Sequence, residues 1–288
     1  MNFLKKKLRN TNVSRIIVFI LMAMYAATMI AAIVWLVFAS LKEHSELMLP
    51  DRNPNGFPNA FLITNYIDAF KYMGDGSTSF FQMFFNSIWF SVGSALLSAL
   101  VSAIVGYIFS KYSFKGKRVI YVLFMIAMLL PMYGNFPAMY RLTNNIGIYD
   151  SPLYIVVGAA GYGNIMLIFM AGFDSLSWDY AEAAEIDGAN DYYIFFRIMF
   201  PLIRPVFVSL ILVGIIGAWN NYMSPIIYLP SLPTLSSGLY KFKDRMRYSY
   251  QMPAYYAGVV MSFIPTLALF IVFRKTIMEN VAMGGLKG

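Results

Sequence analysis

Six stretches of the chain, residues 16–41, 76–110, 119–140, 151–173, 205–240 and 248–273, contain no Asp, Glu, Lys or Arg, and charged polar segments separate them. One charge at the centre of a membrane helix costs about 2.5 to 3.5 kcal/mol, so long charge-free runs mark membrane spans. A span needs roughly 20 apolar residues, and the two longest runs combine one with uncharged flanking loop or interfacial helix. The pattern predicts an all-α membrane protein, a single transmembrane domain over residues 1–288. Its six transmembrane helices fall at about 16–41, 82–110, 119–140, 152–173, 205–229 and 254–273. The start, MNFLKKKLRN and an apolar run, imitates a signal peptide. Its apolar part exceeds the usual length of about 7 to 15 residues and more spans follow, which predicts an uncleaved first helix.

Within these runs the small residues are periodic. Ser94, Ser98, Ser102 and Gly106 repeat every four positions, as do Ser91, Ala95, Ala99 and Ala103. Such stripes let a neighbouring backbone come close, so the second span is expected to be a packed inner helix. Gly161 and Gly163 read the same way. Pro131, Pro137, Pro225 and Pro265 interrupt helical hydrogen bonding, which a bilayer tolerates only where protein or water satisfies the freed carbonyls. Outside the spans, residues 42–80 contain a turn-rich approach and then TNYIDAFKYM, whose spacing fits a short amphipathic helix.

Charge supplies an orientation. The N-terminal tail, the loops after the second and fourth spans and the C-terminal tail hold 14 of the 22 Lys and Arg residues, which places both termini in the cytoplasm. The exception is YKFKDRMRY, residues 240–248, which puts Lys241, Lys243, Arg245 and Arg247 outside. With Tyr240, Tyr248 and Tyr250 this segment reads either as an aromatic belt with snorkelling cations or as a docking surface for a partner.

Composition agrees, with 59% hydrophobic and 12% charged residues, against roughly 25% charged in soluble domains. The net charge of +8 does not form a stripe for nucleic acid. Cysteine is absent and the one histidine, His44, has only Glu43 and Glu46 nearby, which excludes thiol chemistry and reads as a solvated loop residue. Gly116-Lys117 lacks the rest of a P-loop, so the chain has no ATP cradle of its own. No ionisable residue lies inside the spans, whereas proton- or voltage-driven machines keep such groups at mid-membrane. The energy source is therefore expected outside this chain.

One loop is chemically conspicuous. Between Leu142 and Phe196 there is no Lys or Arg, and Asp179, Glu182, Glu185, Asp187 and Asp191 crowd a segment on the otherwise basic side. Ser177 fits an N-cap, the acids suit the positive end of a helix dipole, and Gly188 fits a C-terminal stop. Asn190 or Asp191 then caps a second short helix ended by Pro201. Ala181, Ala183, Ala184 and Ala189 give this elbow a small-residue surface rimmed by carboxylates. On these grounds it is either a docking site for a basic cleft or an interfacial loop without a partner.

A resemblance separates the two. Glu182, Ala183, Ala184 and Gly188, followed after nine residues by Ile198 and Pro201, match the E-A-A-x-x-x-G and I-x-L-P signature of the membrane subunits of binding-protein-dependent ABC importers, with Phe200 where leucine is usual. The stretches AWNNYMSPIIYL (218–229) and TLSSGL (234–239), the helix ending with Pro265 and the tail MGGLKG (283–288) are similar to the maltose-type, MalG-like carbohydrate branch. The resemblance implies a multi-pass permease of a prokaryotic inner membrane. It implies a second homologous permease, two copies of an ATPase that uses ATP and Mg, an extracytoplasmic binding protein and a sugar substrate as partners, with no cofactor on this chain. It implies that residues 174–201 form the coupling loop, with Glu182, Ala183, Ala184, Asp187 and Gly188 toward the ATPase and Gly284, Gly285 and Lys287 as a second contact. The 230–253 segment would face the binding protein.

In the fifth span, Trp219, Asn220, Asn221 and Tyr222 place two amides and two amphipathic rings together. They serve either as interhelical glue or as a sugar pathway, with Asn86, Tyr133 and Asn135 as further pathway candidates. The rival readings for the whole chain are a self-sufficient secondary transporter and an ABC permease for a non-carbohydrate solute.

Overall fold

A computed structural model describes residues 2–74, 78–129, 136–159, 161–249 and 251–283, and no strand occurs among them. Tyr133, Asn135, Gly284, Gly285 and Lys287, like Pro131 and Tyr250, lie outside the described residues. The chain divides into two compact units, one formed by residues up to Met73 with Phe242–Met261, the other by Gly74–Lys241 with the residues from Ser262 onward. Among the described residues three helices are long and apolar enough to cross a membrane: Val13–Leu41, Phe80–Lys111 and Met252–Met278. A fourth arises if Asp191–Leu202 and Arg204–Trp219, bent by 77°, count as one span.

The first unit opens with α1 (Asn2–Leu41), continues through the short α2 (His44–Met48) and a 3₁₀ turn at Pro50–Arg52, and reaches α3 (Thr64–Tyr72). The amphipathic helix expected from TNYIDAFKYM is α3. Ile16, Phe19, Met22, Tyr25 and Ile30 of α1 all expose half or more of their surface, as apolar side chains do when lipid is their solvent. Past the end of α1, Lys42 is buried, contrary to the usual placement of lysine. Its Nζ donates to the carbonyls of Asn53 (2.7 Å) and Pro54 (2.9 Å) and stands 3.8 Å from Glu46. Asn53 takes the left-handed conformation, φ 67°, which asparagine tolerates better than most residues. Asn65 Nδ2 donates to the Ser40 and Lys42 carbonyls, fastening α3 to the end of α1. His44 is half-buried, and its Nδ1 accepts from the Met252 amide at 3.4 Å.

The second unit is organised around α4 (Phe80–Lys111), which starts at a capping box of Ser79 and Gln82. Ser91, Ala95, Ala99 and Ala103 are all buried, the packed face expected of an inner helix, while of the other stripe Ser102 and Gly106 are buried and Ser94 and Ser98 half-buried. After α5 (Lys117–Leu129) comes α6 (Phe136–Asn145), which carries Pro137. The charge-free run 151–173 folds as two helices, α7 (Tyr154–Gly158) and α8 (Asn164–Asp174). The glycines between them divide the work. A Cβ on Gly161 would stand 2.9 Å from Val105, a true packing contact, whereas Gly163 has open space and φ 116°, so it serves the turn and not the packing expected of it.

Next come α9 (Asp179–Ile186), α10 (Asp191–Tyr193), a π turn (Ile194–Met199), α11 (Phe200–Leu202) and α12 (Arg204–Trp219). Then α13 (Met223–Tyr228), α14 (Leu235–Tyr248) and α15 (Met252–Met283), with Pro265 inside it, complete the chain. α4 packs along α8 and α12, and Gly214 of α12 lets its backbone approach Ala95, where a Cβ would meet Ala95 Cβ at 3.1 Å.

Candidate functional site

The acidic segment folds as the helix–turn–helix elbow expected of it. Ser177 Oγ accepts from the Asp179 amide (3.2 Å) at the start of α9, with Asp179 and Glu182 in the first turn, where carboxylates meet the positive end of the helix dipole. The stop is a Schellman motif. The Ala189 amide donates to the Ala184 carbonyl (2.9 Å), the Gly188 amide donates to the Glu185 carbonyl (3.0 Å), and Gly188 sits at φ 84°. A Cβ on Gly188 would meet nothing within 4 Å, so the turn needs glycine for its backbone and not for space.

Asn190, not Asp191, caps the second arm, with Oδ1 accepting from the Tyr193 amide at 2.9 Å. Pro201 does not end that arm. Its missing N–H is absorbed by the preceding π turn, in which the Phe200 amide reaches back to the Phe195 carbonyl, and the bend falls at Ile203.

The phase of α9 corrects the expected docking surface. Ala181 is fully buried, and Ala184 and Ala189 pack against the same apolar cluster of Tyr107, Phe173, Ile194, Phe195 and Met199. The outward face is instead Glu182, Ala183, Glu185, Ile186, Asp187 and Gly188. Ile186 exposes 86% of its surface and Tyr192 on the second arm 78%. Among the described residues none of Glu182, Glu185 and Asp187 makes an ion pair. A face of free carboxylates around an exposed isoleucine suits a partner with basic residues and an apolar pocket.

Asn220, Asn221 and Tyr222 lie together at a helix break and not inside a continuous span, whereas Asn86 lies within α4. α12 ends at Trp219 and α13 begins at Met223. Asn220 Nδ2 donates to the Ile216 carbonyl (2.8 Å), and Asn221 holds Ser224 through both its backbone amide (3.1 Å) and its hydroxyl (3.0 Å). These amides close the break. Asn86 is also engaged, donating to the Pro233 carbonyl (3.0 Å) and accepting from Trp89 Nε1 (3.1 Å). Tyr222 stacks on Tyr240, centroids 4.8 Å apart and planes 10° apart. Trp219 Nε1 donates to the Ser262 carbonyl (3.2 Å), and its ring borders a cavity of about 220 Å³ walled by Phe84, Ile88, Val92, Ile216, Pro265 and Leu269. Among the described residues Ser91 and Thr266 are the only hydroxyl residues in its lining, so the cavity offers few partners for sugar hydroxyls.

Of the basic residues in 240–248, Arg245 donates to the Met73 carbonyl (3.0 Å) and lies over the Phe242 ring, while Lys241, Lys243 and Arg247 are exposed.

Comparison with known proteins converges on one group. Residues 98–276 match the family model described as "Binding-protein-dependent transport system inner membrane component". The arabinooligosaccharides transport system permease protein AraQ of Bacillus subtilis is 29% identical over 255 residues, covering 88% of this chain and 89% of its own. The galactooligosaccharides transport system permease protein GanQ of the same organism is 28% identical over 275 residues, 94% of each chain. The crystal structure of a bacterial ABC transporter involved in the import of the acidic polysaccharide alginate contains a chain with the same fold. Its TM-score is 0.73 at 22% identity, over 93% of this chain and 97% of that one.

Proposed function

Because this chain belongs to the family of binding-protein-dependent transport system inner membrane components, it is a permease subunit and not itself an enzyme, and we propose that it imports a sugar or oligosaccharide. The cargo class rests on the sugar oligomers named for its relatives. The observation that carries the mechanism is the elbow. Its acidic outward face, Glu182 to Gly188, lies inside the matched region 98–276 and makes no ion pair among the described residues.

In this reading the chain crosses a prokaryotic cell membrane six times with both termini in the cytoplasm. It pairs with a second, homologous permease, and two copies of an ATPase that holds ATP and Mg sit beneath the pair. The ATPase takes the elbow into a groove, with Glu182, Asp187 and the exposed Ile186 as contacts and Ala183 allowing close approach. Ala184 and Gly188 fix the shape of the turn. Gly284, Gly285 and Lys287 give the ATPase a second hold. ATP-driven closure displaces the elbow, and the spans pass from inward- to outward-facing. On the other side, Lys241, Lys243 and Arg247 meet the binding protein that delivers the cargo. Asn220, Asn221 and Tyr222 border the pathway, chiefly by shaping the helix break.

Co-purification and reconstitution test this. The chain should bring an ATPase with it, and proteoliposomes holding the full complex should take up labelled arabino- or galacto-oligosaccharides only with internal-facing ATP and the binding protein. Accumulation by this chain alone would overturn the reading and restore the secondary-transporter alternative.

A further inference from the structure

The elbow is covalently continuous with α8 and α12 but not with α4, the helix on which both pack. Three consecutive residues at the end of α4 supply the missing connection. Ser110 Oγ donates to Asp174 Oδ1 at 2.6 Å, Lys111 Nζ to the Leu176 carbonyl at 2.6 Å, and the Tyr112 hydroxyl to Asp191 Oδ1 at 2.9 Å. The three acceptors lie at separate points: the end of α8, the turn before α9, and the first residue of the second arm. Three directional bonds to three points fix both the position and the orientation of the elbow, which apolar packing alone leaves free to slide.

Packing is incomplete at one of these points. A cavity of about 540 Å³ opens between the end of α4 and the second arm, bordered by Ile104, Tyr107, Ile108, Phe195 and Phe196, and the Tyr112–Asp191 bond closes across it. The Tyr107 ring lies beside it, its centroid 5.6 Å from that of Tyr112. Lys117 Nζ in turn holds the Tyr112 carbonyl at 2.9 Å.

The opposite end of α4 is also tied. Asn86 Nδ2 donates to the Pro233 carbonyl (3.0 Å), and the Leu235 amide donates to Ser87 Oγ (2.8 Å). At 1.5 Å per residue, α4 is a rod of about 48 Å, of which about 36 Å lies between these attachments and the elbow. We propose that Ser110, Lys111 and Tyr112 are positioning residues that lock the elbow to α4, so that a displacement of the elbow is carried along α4 to the outer segment at Pro233–Leu235. This rests on the reading of the elbow as the seat of the ATPase.

The test uses the full complex, with its ATPase and binding protein, in proteoliposomes. The parent is measured first: if it neither retains the ATPase nor hydrolyses ATP in response to the binding protein, the functional reading has failed and the clamp is not at issue. With a working parent, S110A/Y112F should retain the ATPase, while stimulation of hydrolysis by the binding protein falls about tenfold, the factor expected for losing hydrogen bonds to carboxylates. D191N, which keeps an acceptor for Tyr112, should stay near the parent.

The natural absence of cysteine allows spin labels at Y180C and L96C, both exposed positions on the elbow and on α4. Their separation should be the same in nucleotide-free and MgADP-vanadate-trapped parent, and should shift or broaden on trapping in S110A/Y112F. Unchanged stimulation together with an unchanged separation in that variant overturns the proposal. Should the double variant not assemble, Y112F alone, which keeps its ring against Tyr107 and Trp178, decides by the same two readouts.

Discussion

Gly106 of α4 lies so close to α8 that a Cβ added to it would stand 2.9 Å from Phe169 Cβ and 3.0 Å from the Met166 carbonyl oxygen. Two of the three nearest neighbours are backbone atoms, so the clash cannot be relieved by a side-chain rotation. G106V should therefore lower the thermal midpoint of the detergent-solubilised protein, at a cost of about 1 to 3 kcal/mol for overpacking. Gly217→Ala is the control, since a Cβ there meets nothing within 4 Å. Equal melting of the two variants in a fluorescence-detected size-exclusion assay would contradict the seam.

Gly188 is constrained by its backbone and not by its neighbours, with φ 84° in open space. A β-branched residue in the left-handed region costs about 1 kcal/mol or more, and escape from it would swing the outward face of α9. G188V should insert and accumulate normally while transport is lost relative to ATP hydrolysis. Gly188→Asn, which tolerates the same conformation, should retain most transport. Full uptake by G188V would refute the coupling role.

How much of this was legible in the sequence depends on which physical signal each feature leaves. The α4 seam was readable, because close approach demands small residues and a helix repeats them every four positions, as Ala95, Ala99 and Ala103 do. The turn at Gly188 was readable for a similar reason, since a Schellman stop selects glycine. The orientation of α9 was not. Alanines at 181, 183 and 184 occur on both faces of a short helix, and only the packing of Ala181 with Phe173 and Ile194 decides which face is inner.

Absence of charge could not report the break between α7 and α8 or that between α12 and α13, because a helix break inside an apolar run leaves no charge behind. The amides of Asn220 and Asn221 were visible, but not that they are spent on closing the second break. Lys42 was missed entirely, since a lysine at the end of an apolar run ordinarily marks the membrane boundary.

Asn220 separates glue from pathway. Its Nδ2 already bonds the Ile216 carbonyl one turn back, so N220L removes a local helix-end contact worth about 0.5 to 1.5 kcal/mol. If the contact is all it provides, N220L should lower thermal stability modestly and leave uptake per assembled complex unchanged. A large fall in uptake with normal assembly would instead place the amide against the cargo.

The Tyr112 phenol gives a prediction in pH. Burial, reinforced by Tyr107 and the Asp191 carboxylate, holds its ionisation well above the ordinary tyrosine value. The protonated phenol is the donor to Asp191, and because the folded value is raised, its contribution is fully present below the unfolded value of about 10 and is lost only as pH rises through the folded one. Stimulation of hydrolysis by the binding protein should thus show no tyrosine titration between about pH 6 and 9. A loss in that window that Y112F abolishes would contradict the assignment.

Lys42 and Glu46 provide the last test, on a part of the chain that has no assigned role in transport. Both side chains are nearly solvent-free, 1% and 5% exposed, yet each has its polar atoms occupied: Lys42 by the Asn53 and Pro54 carbonyls, Glu46 by the Asn59 amide at 3.1 Å. Removing one partner of a buried pair typically costs about 3 to 5 kcal/mol, because the other charge stays in place without compensation. K42M should therefore expose residues 50–60 to protease, since the two carbonyls that position that segment lose their donor while Glu46 keeps its charge. K42M/E46Q should recover part of the loss, because the second change removes the stranded carboxylate charge and leaves an oxygen for Asn59. Such non-additivity is the signature of direct coupling between neighbours. If the two changes instead add, the 3.8 Å separation carries no mutual energy, and the segment is held by the Lys42 hydrogen bonds alone.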